Sequence, residues 1–236
     1  MINQNKMTFF EHLNELRNRI LISISFVFVF SLISYYYSSQ IIDFLIYPVQ
    51  NNNINFQVLK ITSVFFVKMG ISIASGILFS FPFIMFQFFK FVSPAFQKVS
   101  IFKICLMTVV SYLMFLIGLT FGYKVIIPFS ITFFSELSLN LDFLSLNYTL
   151  ENYLSYISWI LIVSSLIFQL PFILTLIVKF GLLSLHTLRS SRRYVIVFFF
   201  IFGALLTPPD PLSQISIVIP LCLLYEFSIL LIRIIK

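Results

Sequence analysis

The chain has 236 residues, 60% of them hydrophobic and 10% charged, with a mean hydropathy of +1.04 and a formal net charge of +7. So few charges exclude a water-soluble globular domain, which normally carries about a quarter of charged residues. The excess of 15 Lys and Arg over 8 Asp and Glu is no sign of nucleic-acid binding, because no basic–aromatic groove pattern accompanies it.

Residues 8–19 are predicted to form an amphipathic helix at the membrane surface. Thr8 and Glu11 have capping-box spacing, which lets each side chain satisfy a free backbone N–H at the helix start. Phe9, Leu13, Leu16 and Ile20 fall at i, i+4, i+7 and i+11 and make one apolar stripe. Glu11, Glu15 and Arg19 follow at i+4 steps on another face. Taken alone, the motif reads first as an ordinary interfacial anchor and only second as a recognition element. A carboxylate such as Glu15 held beside a bilayer argues for a use.

Long apolar intervals follow, most of them long enough to cross a hydrocarbon core of about 30 Å. Spans are predicted at about 20–42, 63–89, 104–124, 152–178, 194–207 and 212–232, so that 1–236 is one all-α membrane domain of six transmembrane helices. The segment 194–207 is short and needs a thinned bilayer or a sheltered place in the bundle. Placing both termini on the inner side gives that side twelve of the 15 basic residues and leaves five of the 8 acids outside. The positive-inside rule therefore predicts inner N and C termini. No cleavable targeting segment is expected, since 20–42 is too long for a signal-peptide core and the preceding helix carries two glutamates.

Several polar groups and prolines interrupt this apolar background. Pro48 lies in the first outer loop, before the turn-rich Asn51-Asn52-Asn53. Gln169 lies inside the fourth span just before Pro171, and facing lipid would be costly. It is read either as interhelical glue or as a contact for a partner helix. In the last outer turn, Asp210-Pro-Leu-Ser213 can stop one helix and cap the next, or simply make a rigid hairpin. Glu226 is expected to pair with Arg233 or Lys179, and Cys105 and Cys222 to fill core positions.

Nothing points to catalysis. His12 and His186 lack metal-ligand spacing, and no HExxH, GxSxG or phosphate-cradling glycine loop occurs. No enzyme activity, metal or cofactor is expected. A small secondary transporter or channel is the alternative function, although such proteins need more polar or discontinuous helices near the midplane.

The run Phe10-Glu-His-Leu-Asn-Glu-Leu-Arg-Asn-Arg19 resembles the N-terminal signature of the TatC family, the multi-span core of the twin-arginine (Sec-independent) protein translocase. The resemblance continues through Tyr47-Pro48, Phe81-Pro82, Phe91-Val-Ser-Pro94-Ala, Phe168-Gln-Leu-Pro171 and Arg192-Arg-Tyr194. It ends with Leu206-Thr-Pro-Pro-Asp-Pro-Leu-Ser-Gln214, Pro220 and Tyr225-Glu226. It implies six helices in a cupped bundle, both termini inside, and a receptor for folded precursor proteins with N-terminal signals, driven by the proton-motive force. Glu15, Arg17, Phe91 and Pro94 are then the signal-peptide surface, with Glu15 receiving the signal's arginines. Gln169 falls on the concave face that meets single-span TatA/TatB-like subunits, while Pro48 and Asp210 support the outer loops. Other copies of the chain are also expected as partners.

Two departures from the family pattern matter. Ser100 stands where a second acidic residue of the first inner loop is usual, and Gln169 replaces a glutamate usual in bacterial members. Both remove negative charge, so a relaxed dependence on paired arginines is expected. The closing motif and a composition rich in Phe, Ile, Asn and Lys lean towards the mitochondrial inner membrane; a thylakoid or a bacterial plasma membrane is the alternative.

Overall fold

Inside a bilayer every backbone N–H and C=O must find its partner within the protein, so apolar runs of this length fold as helices. The computed structural model describes residues 9–48, 55–93, 100–132, 147–179, 181–206 and 211–235. The helices are α1 (Phe9–Tyr36), α2 (Ser38–Ile46), α3 (Ser63–Val92), α4 (Ile101–Phe121), α5 (Leu150–Ile167), α6 (Leu170–Lys179), α7 (Leu185–Ser190), α8 (Arg192–Leu206) and α9 (Pro211–Ile235). Two three-residue strands, β1 (Asn55–Gln57) and β2 (Asn147–Thr149), pair in parallel with Phe56 opposite Tyr148. Sequence periodicity does not reveal a pair so short.

Among the described residues, four helical stretches are long and apolar enough to cross a membrane: Phe10–Tyr36, Ser63–Val92, Ile101–Thr132 and Leu150–Lys179. They match the first four predicted spans, with changed ends. The predicted surface helix 8–19 and the first span are one continuous helix, because no Gly or Pro interrupts the ladder between Phe9 and Tyr36. That helix stops at Tyr36, short of residue 42, in a Tyr-Tyr-Tyr-Ser-Ser run of middling helix propensity. Thr8, half of the predicted capping box, lies outside the described residues. α4 runs on to Thr132 through a π turn at Gly122–Ile126, where the Ile127 N–H donates to the Gly122 carbonyl. Pro128, which has no N–H to donate, follows directly.

The fourth predicted span is broken into α5 and α6 at Phe168-Gln169. Pro171 cannot donate to the Ile167 carbonyl, and the Gln169 N–H turns back to the Leu166 carbonyl at 3.0 Å. α6 ends in a Schellman motif: Gly181, at φ 73°, donates to Val178 and Leu182 donates to Ile177. α8 has 15 residues, about 22 Å of helix, whereas α9 has 25.

Contacts divide the chain into two units, Met1–Ser39 with Lys68–Tyr112, and Gln40–Val67 with Leu113–Lys236. In the first, α1 and α3 approach with their backbones almost touching. A Cβ added at Gly76 would lie 2.8 Å from the Ser31 Cα. Serine and threonine hydroxyls donate to carbonyls of their own helix, as Ser72 does to Lys68 and Thr108 to Ile104, so their burial leaves no unmet donor.

In the second unit, Gly118 and Gly122 form a GxxxG face on α4 and its π turn, and α5 packs on it. A Cβ at Gly118 would stand 2.8 Å from both the Phe168 Cβ and the Ser164 carbonyl. The end of α2 is tied in by two tyrosines: Tyr123 donates to the Phe44 carbonyl at 2.7 Å, and buried Tyr153 donates to that of Leu45 at 3.2 Å. Ser63 donates to Glu151 Oε2 at 2.9 Å, and Tyr225 to the Leu188 carbonyl at 2.8 Å. Glu226 pairs with Arg192 at 2.8 Å, where Arg233 or Lys179 was the expected partner. The fold, bent back between α7 and α9, brings Arg192 to it, a neighbour that sequence distance hides.

Candidate functional site

On α1, Leu16, Arg19, Ile20, Ser23, Ile24 and Val27 recur at helical spacing and share a face. On α3, Ile84, Gln87, Phe88 and Phe91 do the same. The two stripes line a groove of about 290 Å³ within the first unit. Its walls are almost wholly apolar, apart from Arg19, Ser23 and Gln87.

The charged end of this groove is built around Glu15. Its Oε1 accepts from both Nε and Nη2 of Arg19, the former at 3.0 Å. The remaining Arg19 nitrogen, Nη1, donates to Gln87 Oε1 on α3 at 3.1 Å. One guanidinium thus ties the two helices together, and both members of the ion pair are largely buried, Arg19 at 15% and Glu15 at 19% exposure. Glu15 Oε2 is shielded from solvent and accepts no hydrogen bond among the described residues. The imidazole nitrogen nearest to it is His12 Nδ1, 3.7 Å away and beyond hydrogen-bond length. The His12 ring is held in turn by stacking on Phe91, with centroids 4.3 Å apart and planes 10° from parallel.

Two of the four residues predicted for the signal-peptide surface therefore come together, Glu15 and Phe91, with His12 between them. Arg17 is exposed, and its place two positions after Glu15 turns it to a different face of α1. Pro94 and Asp210 lie outside the described residues. Pro48 closes the short turn after α2, half-buried, just past the two carbonyls held by Tyr123 and Tyr153. Gln169 is 1% exposed, at the break between α5 and α6 in the second unit. That depth suits interhelical glue, and a partner helix would reach the amide only if a covering side chain moved. Ser100 is exposed, and its carbonyl accepts from the N–H groups of Lys103 and Ile104 at the start of α4. An acidic residue there would add charge at a helix N-terminus, whereas serine suits the same start without it.

Sequence reasoning missed His12, Arg19 and Gln87 as members of the site. For the first two the signal was available: they stand three before and four after Glu15, where helical neighbours meet. Gln87 had a weaker one, as an amide within an otherwise apolar span.

The family profile described as "Sec-independent protein translocase protein (TatC)" matches residues 11–220. A protein of that name from Desulforapulum autotrophicum is 32% identical over 230 residues, covering 96% of this chain and 84% of its own length. One from Carboxydothermus hydrogenoformans is 32% identical over 231 residues, covering 98% and 94%. The crystal structure of a twin-arginine translocase receptor, TatC in DDM, superposes with a TM-score of 0.84 at 30% identity. It covers 94% of this chain and 99% of the receptor.

Proposed function

Because the chain belongs to the TatC family of Sec-independent protein translocase proteins, an integral membrane transport component rather than an enzyme, we propose that its groove end at Glu15 receives the signals of folded precursor proteins. The observation that carries this is the buried carboxylate at the head of an apolar groove, between Arg19 and the stacked His12–Phe91 pair. A signal of the secretory kind has the complementary order, a basic segment followed by an apolar run. Its guanidinium groups meet Glu15 through charge-assisted hydrogen bonds, and its apolar run lies along Leu16–Val27 and Ile84–Phe91. Phe91 acts by fixing the His12 ring. Arg17 is exposed for the peptide's polar backbone, and the family resemblance adds Pro94.

The remaining parts of the reading follow from the family. α8 and α9 complete six spans with both termini inside, which the distribution of basic residues supports. Single-span TatA/TatB-like subunits and further copies of the chain complete the translocase, Gln169 serves partner helices at the α5–α6 break, and Pro48 and Asp210 shape the outer loops. Transport is driven by the proton-motive force. The relatives named above are bacterial, which supports a plasma membrane; the mitochondrial inner membrane is supported by composition alone. The alternative of a small solute transporter gives way to the family assignment.

The test is binding of a twin-arginine signal peptide to the purified protein in lipid nanodiscs. Glu15→Gln is expected to weaken binding by roughly ten-fold or more, the loss of one charge-assisted pair. Unchanged binding by this variant would remove Glu15 from the site.

A further inference from the structure

Glu15 is already half occupied by the protein's own Arg19. Both donors that Arg19 turns to Glu15 go to a single oxygen, Oε1, while Oε2, 3.7 Å from His12 Nδ1, has no donor among the described residues. An arriving arginine is strongest as a fork that spans both oxygens of a carboxylate. It can make that fork here only by driving Arg19 off Oε1. An arriving lysine is a point donor and needs one oxygen. It can take Oε2 with Arg19 still in place, once the His12 ring, 44% exposed, swings aside.

Resting on the reading of Glu15 as the signal's acceptor, we propose that Arg19, held on α3 by Gln87, is the specificity-determining residue of the site, lowering its preference for arginine over lysine signals. Arg19 is an internal competitor for the geometry that only arginine exploits. Gln87 is a positioning residue: its Oε1 accepts from Arg19 Nη1 at 3.1 Å and keeps the guanidinium at its post. The positive charge of Arg19 repels either peptide, so overall affinity does not isolate the effect. The ratio of the two affinities does, because charge repulsion largely cancels in it while access to the second oxygen does not.

The experiment measures binding of a signal peptide with paired arginines and of the same peptide with paired lysines. The proteins are the full chain in nanodiscs, Arg19→Gln, Gln87→Leu and Glu15→Gln. The arginine-to-lysine affinity ratio is expected to rise by roughly ten-fold in Arg19→Gln, one charge-assisted hydrogen bond more for arginine. In Gln87→Leu it rises by a few-fold, as Arg19 loses its anchor but keeps its charge. A ratio that stays the same or falls in both variants overturns the proposal, even if Glu15→Gln abolishes binding and the acceptor role stands. Binding that is indifferent to Glu15→Gln overturns the underlying reading instead. Should Arg19→Gln fail to fold, Gln87→Leu decides alone, since it leaves both charges of the ion pair in place.

Discussion

In the first unit, the polar groups where α1 meets α3 are built on an ion pair: a carboxylate and a guanidinium, with an imidazole beside them and the amide of Gln87 that ties the guanidinium to the neighbouring helix. In the second unit, the polar groups where α4 meets α5 are neutral and small. Ser164 and Ser165 are buried and donate to carbonyls of their own helix, and Gly118 and Gly122 let the backbones close on them. Both arrangements satisfy polar atoms in an apolar medium. The two serines of the neutral one are satisfied locally, so they hold helices together and offer nothing to a ligand. The charged one leaves Glu15 Oε2 without a donor among the described residues, and an unmet acceptor is a binding capacity. The difference separates scaffold from site more sharply than burial does.

The contrast can be broken most forcefully at the neutral interface. Gly118→Val sets a branched side chain against the Phe168 ring and the Ser164 carbonyl, and overpacking of this kind costs about 3 kcal/mol. A large fall in the thermal midpoint in detergent is expected, with an unchanged arginine-to-lysine ratio in whatever remains folded. Glu15→Gln comes next. Its stability loss is about 2 kcal/mol, below that of a fully buried pair because both partners keep some exposure. Here the signal-binding loss should exceed the stability loss, the reverse of the glycine variant.

Smaller effects sharpen the comparison within the second unit. Tyr153→Phe removes the donor to the Leu45 carbonyl and should cost about 1 kcal/mol. Hydrogen exchange should quicken at the end of α2, with signal binding untouched. The Arg192–Glu226 pair is charged but half exposed, 48% at each partner. Arg192→Gln is expected to shift stability by less than about 0.5 kcal/mol, and high salt should reproduce it in the unaltered protein. A large effect there would show that charge alone, and not its burial beside an unmet acceptor, marks a functional position.

Much of the fold was legible because its signals are local. Apolar runs marked four helical stretches long enough to cross a membrane, and the apolar stripe of α1 supplied two residues of the groove, Leu16 and Ile20. Glu15 and Phe91 were named from motif resemblance, and they do meet, through His12. The break at Phe168-Gln169 was foreshadowed by Pro171, and the Schellman end by Gly181, each acting through its own backbone. The GxxxG run from Gly118 to Gly122 was also there to be read.

What could not be read is pairing at a distance. Arg19 and Gln87 are 68 positions apart, Arg192 and Glu226 34, and β1 and β2 pair although α3 and α4 lie between them in the chain. Helical spacing says which residues share a face, because that follows from 3.6 residues per turn in any one segment. It does not say which face of another segment will lie against it. By itself, therefore, the sequence determined an all-helical membrane protein of this family with an acidic residue near the start of its first helix. Only the tertiary structure decided that Arg19, which holds this carboxylate, is itself tied to Gln87 of α3. That choice depends on how closely two backbones can approach at Gly76 and Ser31, and no single segment contains it.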